Sequence, residues 1–174
     1  MKRLFLALPV PESIHEELER LRIGLPGARW MPDLHITIRF LGDISEKDQS
    51  IIEELLADLE FPNIHIRLGM PGVFIHPRQI ILYLSAVPDD AIIKLKTTVD
   101  TLLRPTGLRV ERKFHAHCTL ARLPDSRSSF LQNYVLQFEH FQTSLFAVDE
   151  LVLFSSVLQR TGALHYREES YRLS

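Results

Sequence analysis

Apolar positions along this chain alternate between a strand rhythm and a helix rhythm, and the same succession is written twice. Residues 3–8 (Arg-Leu-Phe-Leu-Ala-Leu) form a β-prone run, and after Pro11 the residues Ile14, Leu18 and Leu21 fall on one face at helical spacing. A second β-prone run starts at His35. Ser45-Glu46-Lys47-Asp48 has the form of a capping box and opens a helix with Ile51, Ile52, Leu55, Leu56 and Leu59 as its apolar positions. Strands are predicted at 64–68, 72–75 and 80–85. The order then returns: after the strand at 80–85, Pro88-Asp89-Asp90 opens a helix with Ile92, Leu95, Val99, Leu102 and Leu103 inward. Pro105 and Gly107 stop it. A strand at His117 follows, then a helix near 126–137 with Phe130, Leu131, Tyr134, Val135 and Phe138 on one face. Residues 143–174 read as closing strands with a turn at Thr161-Gly162.

Each half therefore reads strand, helix, strand, helix. Val10-Pro11-Glu12 and Val87-Pro88-Asp89 match in residue type at an offset of 77. The repeat is one of order rather than of identity, and its consequence is a pseudo-twofold axis that brings the second strand of each half together. Those two strands carry one pattern, H-x-T-x: His35-Ile36-Thr37-Ile38 and His117-Cys118-Thr119-Leu120, 82 positions apart. A strand turns successive side chains to opposite faces, so His35 and Thr37 share one face and His117 and Thr119 do likewise. Apolar residues occupy the other face. Such strands suit the floor of a wet cleft holding a pair of histidines.

Composition narrows the classes. With 174 residues, 45% hydrophobic and 24% charged, the chain can bury a substantial core as one domain. Cys118 is the only cysteine, which rules out an intramolecular disulfide and fits a reducing compartment. The apolar N-terminal run stops at Pro9 and Pro11 with no small-residue cleavage site, and no apolar stretch is long enough to span a membrane; the expected location is cytoplasmic. A net charge of −2 does not mark a long-duplex binder. Residues 104–127 nevertheless carry Arg104, Arg109, Arg112, Lys113, Arg122 and Arg127 against Glu111 and Asp125, a patch suited to a few phosphates. The six acidic residues of 44–60 read as a solvated face.

With these motifs in place, the chain resembles the two-histidine phosphoesterases, specifically the RNA 2′,3′-cyclic phosphodiesterases historically called 2′-5′ RNA ligases. The resemblance spans nearly the whole chain. It includes Arg3–Leu8, Arg29-Trp30, the block Leu34–Asp43, Gly72–Arg78 with Ile81–Leu84, Phe114–Arg122 with its trailing arginine, Leu151–Ser156 and Ala163–Tyr166. His115 and Ile75-His76 depart from the family's usual residues, which bears on base or end-group preference. The resemblance implies an α+β fold over residues 1–174, a single domain of two pseudo-symmetric lobes, with antiparallel sheets lining a central cleft and helices on the outside. It also implies hydrolysis of RNA 2′,3′-cyclic phosphate ends to 2′-phosphates by a monomer without cofactor. The RNA partners it suggests include tRNA halves, with small cyclic nucleotides as further substrates. His35 is then the general acid on the leaving 3′ oxygen and His117 the base that activates water.

The residue types fit that chemistry. In-line opening of a cyclic phosphate wants a base on one side of phosphorus and an acid on the other, and histidine serves either task near neutrality. Thr37 and Thr119 are candidate donors to the non-bridging oxygens and Arg122 a candidate for the developing charge. Strand parity places Arg39 beside His35 and Thr37, as a further contact. The same parity puts Arg122 on the wrong face unless it lies at the strand's end or past a bulge. Trp30, Phe5 and Phe74 are candidates to stack on a nucleobase, with core packing the competing fate. His15, His65, His140 and His165 lack a motif context and receive no role. His115 and His117 have spacing that can chelate zinc, but Cys118 points the other way and no carboxylate stands at ligand spacing, so no metal is assigned. Joining of RNA ends by the reverse reaction, an RNA-end-binding module without turnover, and a metal-dependent hydrolase are the alternatives.

Overall fold

In a computed structural model of the protein, residues 1–111, 113–124, 128–160 and 162–174 are described, without the side chains of 128 and 129. Among the described residues nine strands and four helices follow one another: β1 (Lys2–Pro9), α1 (Glu12–Leu18), β2 (Arg29–Trp30), β3 (His35–Ile44), α2 (Glu46–Ala57), β4 (Ile64–His76), β5 (Gln79–Val87), α3 (Asp90–Leu102), β6 (His117–Leu123), α4 (Ser128–Gln137), β7 (Phe146–Val148), β8 (Glu150–Gln159) and β9 (Gly162–Arg172), with β2 the strand that the sequence reading lacks. Ser45 caps α2: its hydroxyl accepts from the Asp48 amide at 3.1 Å, satisfying a donor that the first helical turn would leave open, and donates to the Asp48 carboxylate at 2.7 Å. Gly107 closes the chain after α3 in the left-handed region, φ 70°, where a side chain would be strained. Part of the helix predicted at 126–137, and Thr161 of the predicted turn, lie outside the described residues.

The strands run β7-β4-β5-β6-β3-β1-β8-β9, with β2 beside β6, and every named pairing is antiparallel. The two halves of that order are mirror sequences about the β6–β3 junction: β6 answers β3, β5 answers β1, β4 answers β8 and β7 answers β9. β3 and β6 meet in register at Ile36 and Cys118, the same position of the two motifs. One face of the sheet carries the core. Leu4, Leu6, Leu8, Ile36, Ile38, Cys118 and Leu120 pack there with Ile14 and Leu18 of α1, Ile92, Leu95 and Val99 of α3 and Leu131 of α4. The other face is open and holds the cleft.

Several register shifts interrupt regular alternation, those at Leu41 of β3 and Glu168 of β9 among them, and two bear on the fold and the site. The strands predicted at 64–68 and 72–75 are one strand, β4, bent where its register against β5 shifts between Gly69 and Pro71 and Met70 takes φ 51°. The second departure governs the site. Against β1, the β3 register steps from Ala7↔Thr37 to Leu6↔Arg39, so Ile38 is an extra residue. Against β5, the β6 register steps from Tyr83↔Thr119 to Leu82↔Ala121, so Leu120 is extra. Each motif strand thus carries a bulge immediately after its threonine, and a bulge reverses which face every later residue occupies.

Candidate active site

The bulges decide which side chains reach the cleft. In β6 the reversal turns Ala121 into the core and Arg122 out beside His117 and Thr119. Arg122 is therefore past a bulge, the condition its spacing demanded. In β3 the same reversal turns Arg39 inward and Phe40 outward. Arg39 is 2% exposed and cannot contact a ligand in the cleft. Its guanidinium donates to the Asp100 carboxylate at 2.9 Å and to the Leu108 carbonyl at 3.1 Å. The expectation from parity was wrong for Arg39, and Phe40 takes the place that it gave to the arginine. Aligned on their bulges, Phe40 and Arg122 are equivalent positions, so the cleft is symmetric in its histidines and threonines and asymmetric just beyond them.

The cleft has a volume of about 1110 Å³ and is lined by His35, Thr37, Phe40, His117, Thr119 and Arg122, among others. Among the described residues no helix contributes to its lining. Extending the Ile36↔Cys118 register sets His35 opposite Thr119 and Thr37 opposite His117, which puts the two histidines on a diagonal. In a regular antiparallel pair such diagonal residues stand about 7–8 Å apart. Arg3 and Arg29 also line the cleft, so its positive lining draws on three separate strands. Of the basic run at 104–127, Arg122 is the member that lines it among the described residues.

Both histidines are held the same way. His35 Nδ1 lies 3.1 Å from the Asp33 carbonyl and His117 Nδ1 lies 2.7 Å from the His115 carbonyl. A carbonyl only accepts, so each Nδ1 carries the hydrogen and each Nε2 is left for the cleft. Their surroundings differ. His35 sits among Phe5 (5.3 Å between ring centroids), Phe154 (6.2 Å) and His165 (5.2 Å). His117 is flanked by Phe74 (5.0 Å), Tyr83 (5.3 Å) and His115 (5.8 Å). Gly72 makes the Tyr83 position possible, since a Cβ there would come within 2.5 Å of the tyrosine hydroxyl.

Burial pushes the His35 pKa down to about 4, with the positive potential of His165, His117 and Arg122 adding to it and the Asp33 carbonyl opposing it. His117 is lowered too, chiefly by burial, against the raising effect of its bond to the His115 carbonyl. With nothing bound, both rings are neutral at pH 7. Arg122 is lowered by burial and by Arg29, directly opposite it in the β2–β6 register, and it donates to Gln79 at 3.3 Å. Thr37 and Thr119 make no side-chain hydrogen bond among the described residues, so both hydroxyls are available to a ligand. Cys118 faces the core, and burial raises its thiol to about 12, too high for a nucleophile.

Of the stacking candidates, Phe5 is 4% exposed and packed into the cleft wall against His35, whereas Trp30 and Phe74 are half-buried at the cleft. Phe40, 57% exposed, is the apolar surface that regular strand parity hides. His115 bonds to Ser85 through Nε2 at 3.1 Å, and among the described residues no three His, Cys, Asp or Glu side chains converge as metal ligands. No helix among the described residues is long and apolar enough to cross a membrane.

The 2′-5′ RNA ligase superfamily model matches residues 10–160. The chain belongs to that superfamily. Its relatives include the RNA 2′,3′-cyclic phosphodiesterase of Methanocaldococcus jannaschii, 26% identical over 94% of this chain and 96% of that protein. The enzyme of the same name from Thermotoga maritima is 28% identical over 94% of this chain and 91% of its own. The fold is shared with Escherichia coli LigT, solved in complex with 3′-AMP, at a TM-score of 0.77 and 22% identity over 99% of this chain and 98% of that one. The fold class expected from the sequence, α+β with antiparallel strands lining a cleft, is thus borne out, and the strands form one continuous sheet where separate sheets were expected.

Proposed function

We propose that this member of the 2′-5′ RNA ligase superfamily hydrolyses RNA 2′,3′-cyclic phosphate ends to 2′-phosphomonoesters by metal-independent acid–base catalysis. One observation carries the reading: two imidazoles, each tied by Nδ1 to a backbone carbonyl, occupy opposed corners of one cleft floor. Water attacks phosphorus as the bond to the 3′ oxygen breaks on the far side. His117 takes the proton from water, and His35 gives one to the departing oxygen, the division that the family resemblance implies. Thr37 and Thr119 donate to the non-bridging oxygens, and Arg122 balances the charge that grows on them. Phe40 offers a face to a base. The cleft is larger than the ~300–1,000 Å³ of ordinary small-molecule pockets, leaving room for more than the terminal nucleotide.

The ionisation of the site sets its pH dependence. Both histidine pKa values are lowered, so the singly protonated pair that the reaction needs is most abundant below pH 6.5. The proton reaches buried His35 when the anionic phosphate beside it offsets the cost of charging the ring. The kcat/KM profile is expected to be bell-shaped with its maximum below pH 6.5, falling about tenfold per pH unit on the alkaline side. Steady-state rates across pH 4–9 check this, and a flat profile or a maximum above pH 7.5 contradicts it.

The direct assay is incubation of a cyclic-phosphate-terminated oligonucleotide with the protein in EDTA. Opening to a 2′-phosphate, identified by ³¹P NMR, is the expected result. A 3′-phosphate product or loss of turnover in EDTA contradicts the chemistry. Tight binding without opening would make the protein an end-binding module instead. The superfamily's description also favours a second reading, attack by a 5′-hydroxyl in place of water to form a 2′-5′ bond; an alkali-resistant junction between paired RNA halves would reveal it.

A further inference from the structure

No motif marks His165, and the chemistry above does not use it. β9 nevertheless delivers its ring to the cleft, 5.2 Å from His35 at an interplanar angle of 79°. Phe5 meets the His165 ring at 5.0 Å and 72°, and Phe154 stands 6.5 Å away. His165 Nδ1 is shut off from solvent and has no hydrogen-bond partner among the described residues, yet the Asp33 carboxylate lies 3.8 Å from it. Asp33 is also the residue whose backbone carbonyl holds His35. One residue therefore touches both rings, through its main chain on one and its side chain on the other. The titratable and charged groups facing His165 are Asp33 ahead of β3, His35 on β3 and Arg122 on β6; β1 and β8 present Phe5 and Phe154.

We propose that His165 is a positioning residue for His35: wedged edge-on against it and anchored by Asp33, it takes a proton first and sets the pH at which His35 can hold one. The Asp33 carboxylate stabilises charge on His165, while a cation in contact with the second ring raises the cost of charging that ring as well. Burial and Arg122 lower His165, Asp33 raises it, and His165 is the second-largest cause of the depression at His35. Burial first, and a charged His165 second, hold His35 neutral in the free site, and a phosphate anion becomes the condition for its protonation. This inference rests on the proposed function only in giving His35 a catalytic proton.

The test is a histidine-selective NMR titration of the full chain, with pH profiles of kcat/KM beside it. In the unmodified protein the midpoint of His165 is expected above that of His35. His165→Phe keeps a ring against Phe5 but removes the charge, and should raise the His35 midpoint by about 0.5–1 unit. The acidic limb of kcat/KM should move the same way, a shift that lost packing alone would not produce. The reverse order of midpoints, or a His35 midpoint unmoved in His165→Phe, overturns the proposal. If His165→Phe does not fold, the order of midpoints in the unmodified protein still decides. Absence of hydrolysis would defeat the proposed function, whereas the titration needs no substrate and settles the role of His165 by itself.

Discussion

His117→Ala is expected to lower kcat/KM for cyclic-phosphate opening about 10²–10⁴-fold, and His35→Ala about as much, the ordinary contribution of a positioned acid or base. The double variant should lose less than the product of the two single losses, because base and acid act in one concerted displacement. Neither change should unfold the protein. Both side chains stand on the open face of the sheet, and the apolar residues that interleave with them, Ile36 and Cys118, keep the core contacts. Rates measured beside thermal melts separate the effects. A variant that melts normally and still turns over within a few-fold of the parent would remove its histidine from the chemistry.

Arg39→Ala is the opposite case, with a large effect on stability and little on chemistry. The Arg39 side chain is 1% exposed and pairs with Asp100, which also holds Lys96 at 2.7 Å. Removing a partner from a buried pair costs about 3–5 kcal/mol, and here the lower end applies because Lys96 stays on the carboxylate. A loss of about 3 kcal/mol corresponds to a fall in Tm of roughly 6–12 °C for a chain of this size. Arg39→Met should lose less, since it keeps most of the buried apolar stem. The folded variants should keep kcat within a few-fold. A normal Tm with kcat reduced tenfold or more would return Arg39 to the cleft.

Arg39 also shows where sequence reading reaches its limit. Most helices and strands and the strand setting of the two motifs follow from apolar periodicity and short local patterns, whereas β2 and the merging of the strands expected at 64–68 and 72–75 into β4 do not. A bulge is invisible to periodicity, because one inserted residue is enough to exchange the faces. The signal lay in aligning the two motifs with each other. That alignment sets Arg39 against Ala121, a small core residue, and Phe40 against Arg122, so any bulge invoked for one strand is owed to the other. His165 had no such signal. It arrives beside His35 through the long-range register of β1 with β8 and of β8 with β9, pairings that no local window of sequence contains.

That two imidazoles from separate halves of the chain serve a single phosphorus is tested most directly by the structure of the protein bound to its 2′-phosphate product. His35 Nε2 and His117 Nε2 should each lie about 2.6–3.2 Å from different oxygens around the same phosphorus. A phosphate reached by only one of the rings, or bound elsewhere in the cleft with both Nε2 atoms facing solvent, would contradict the account.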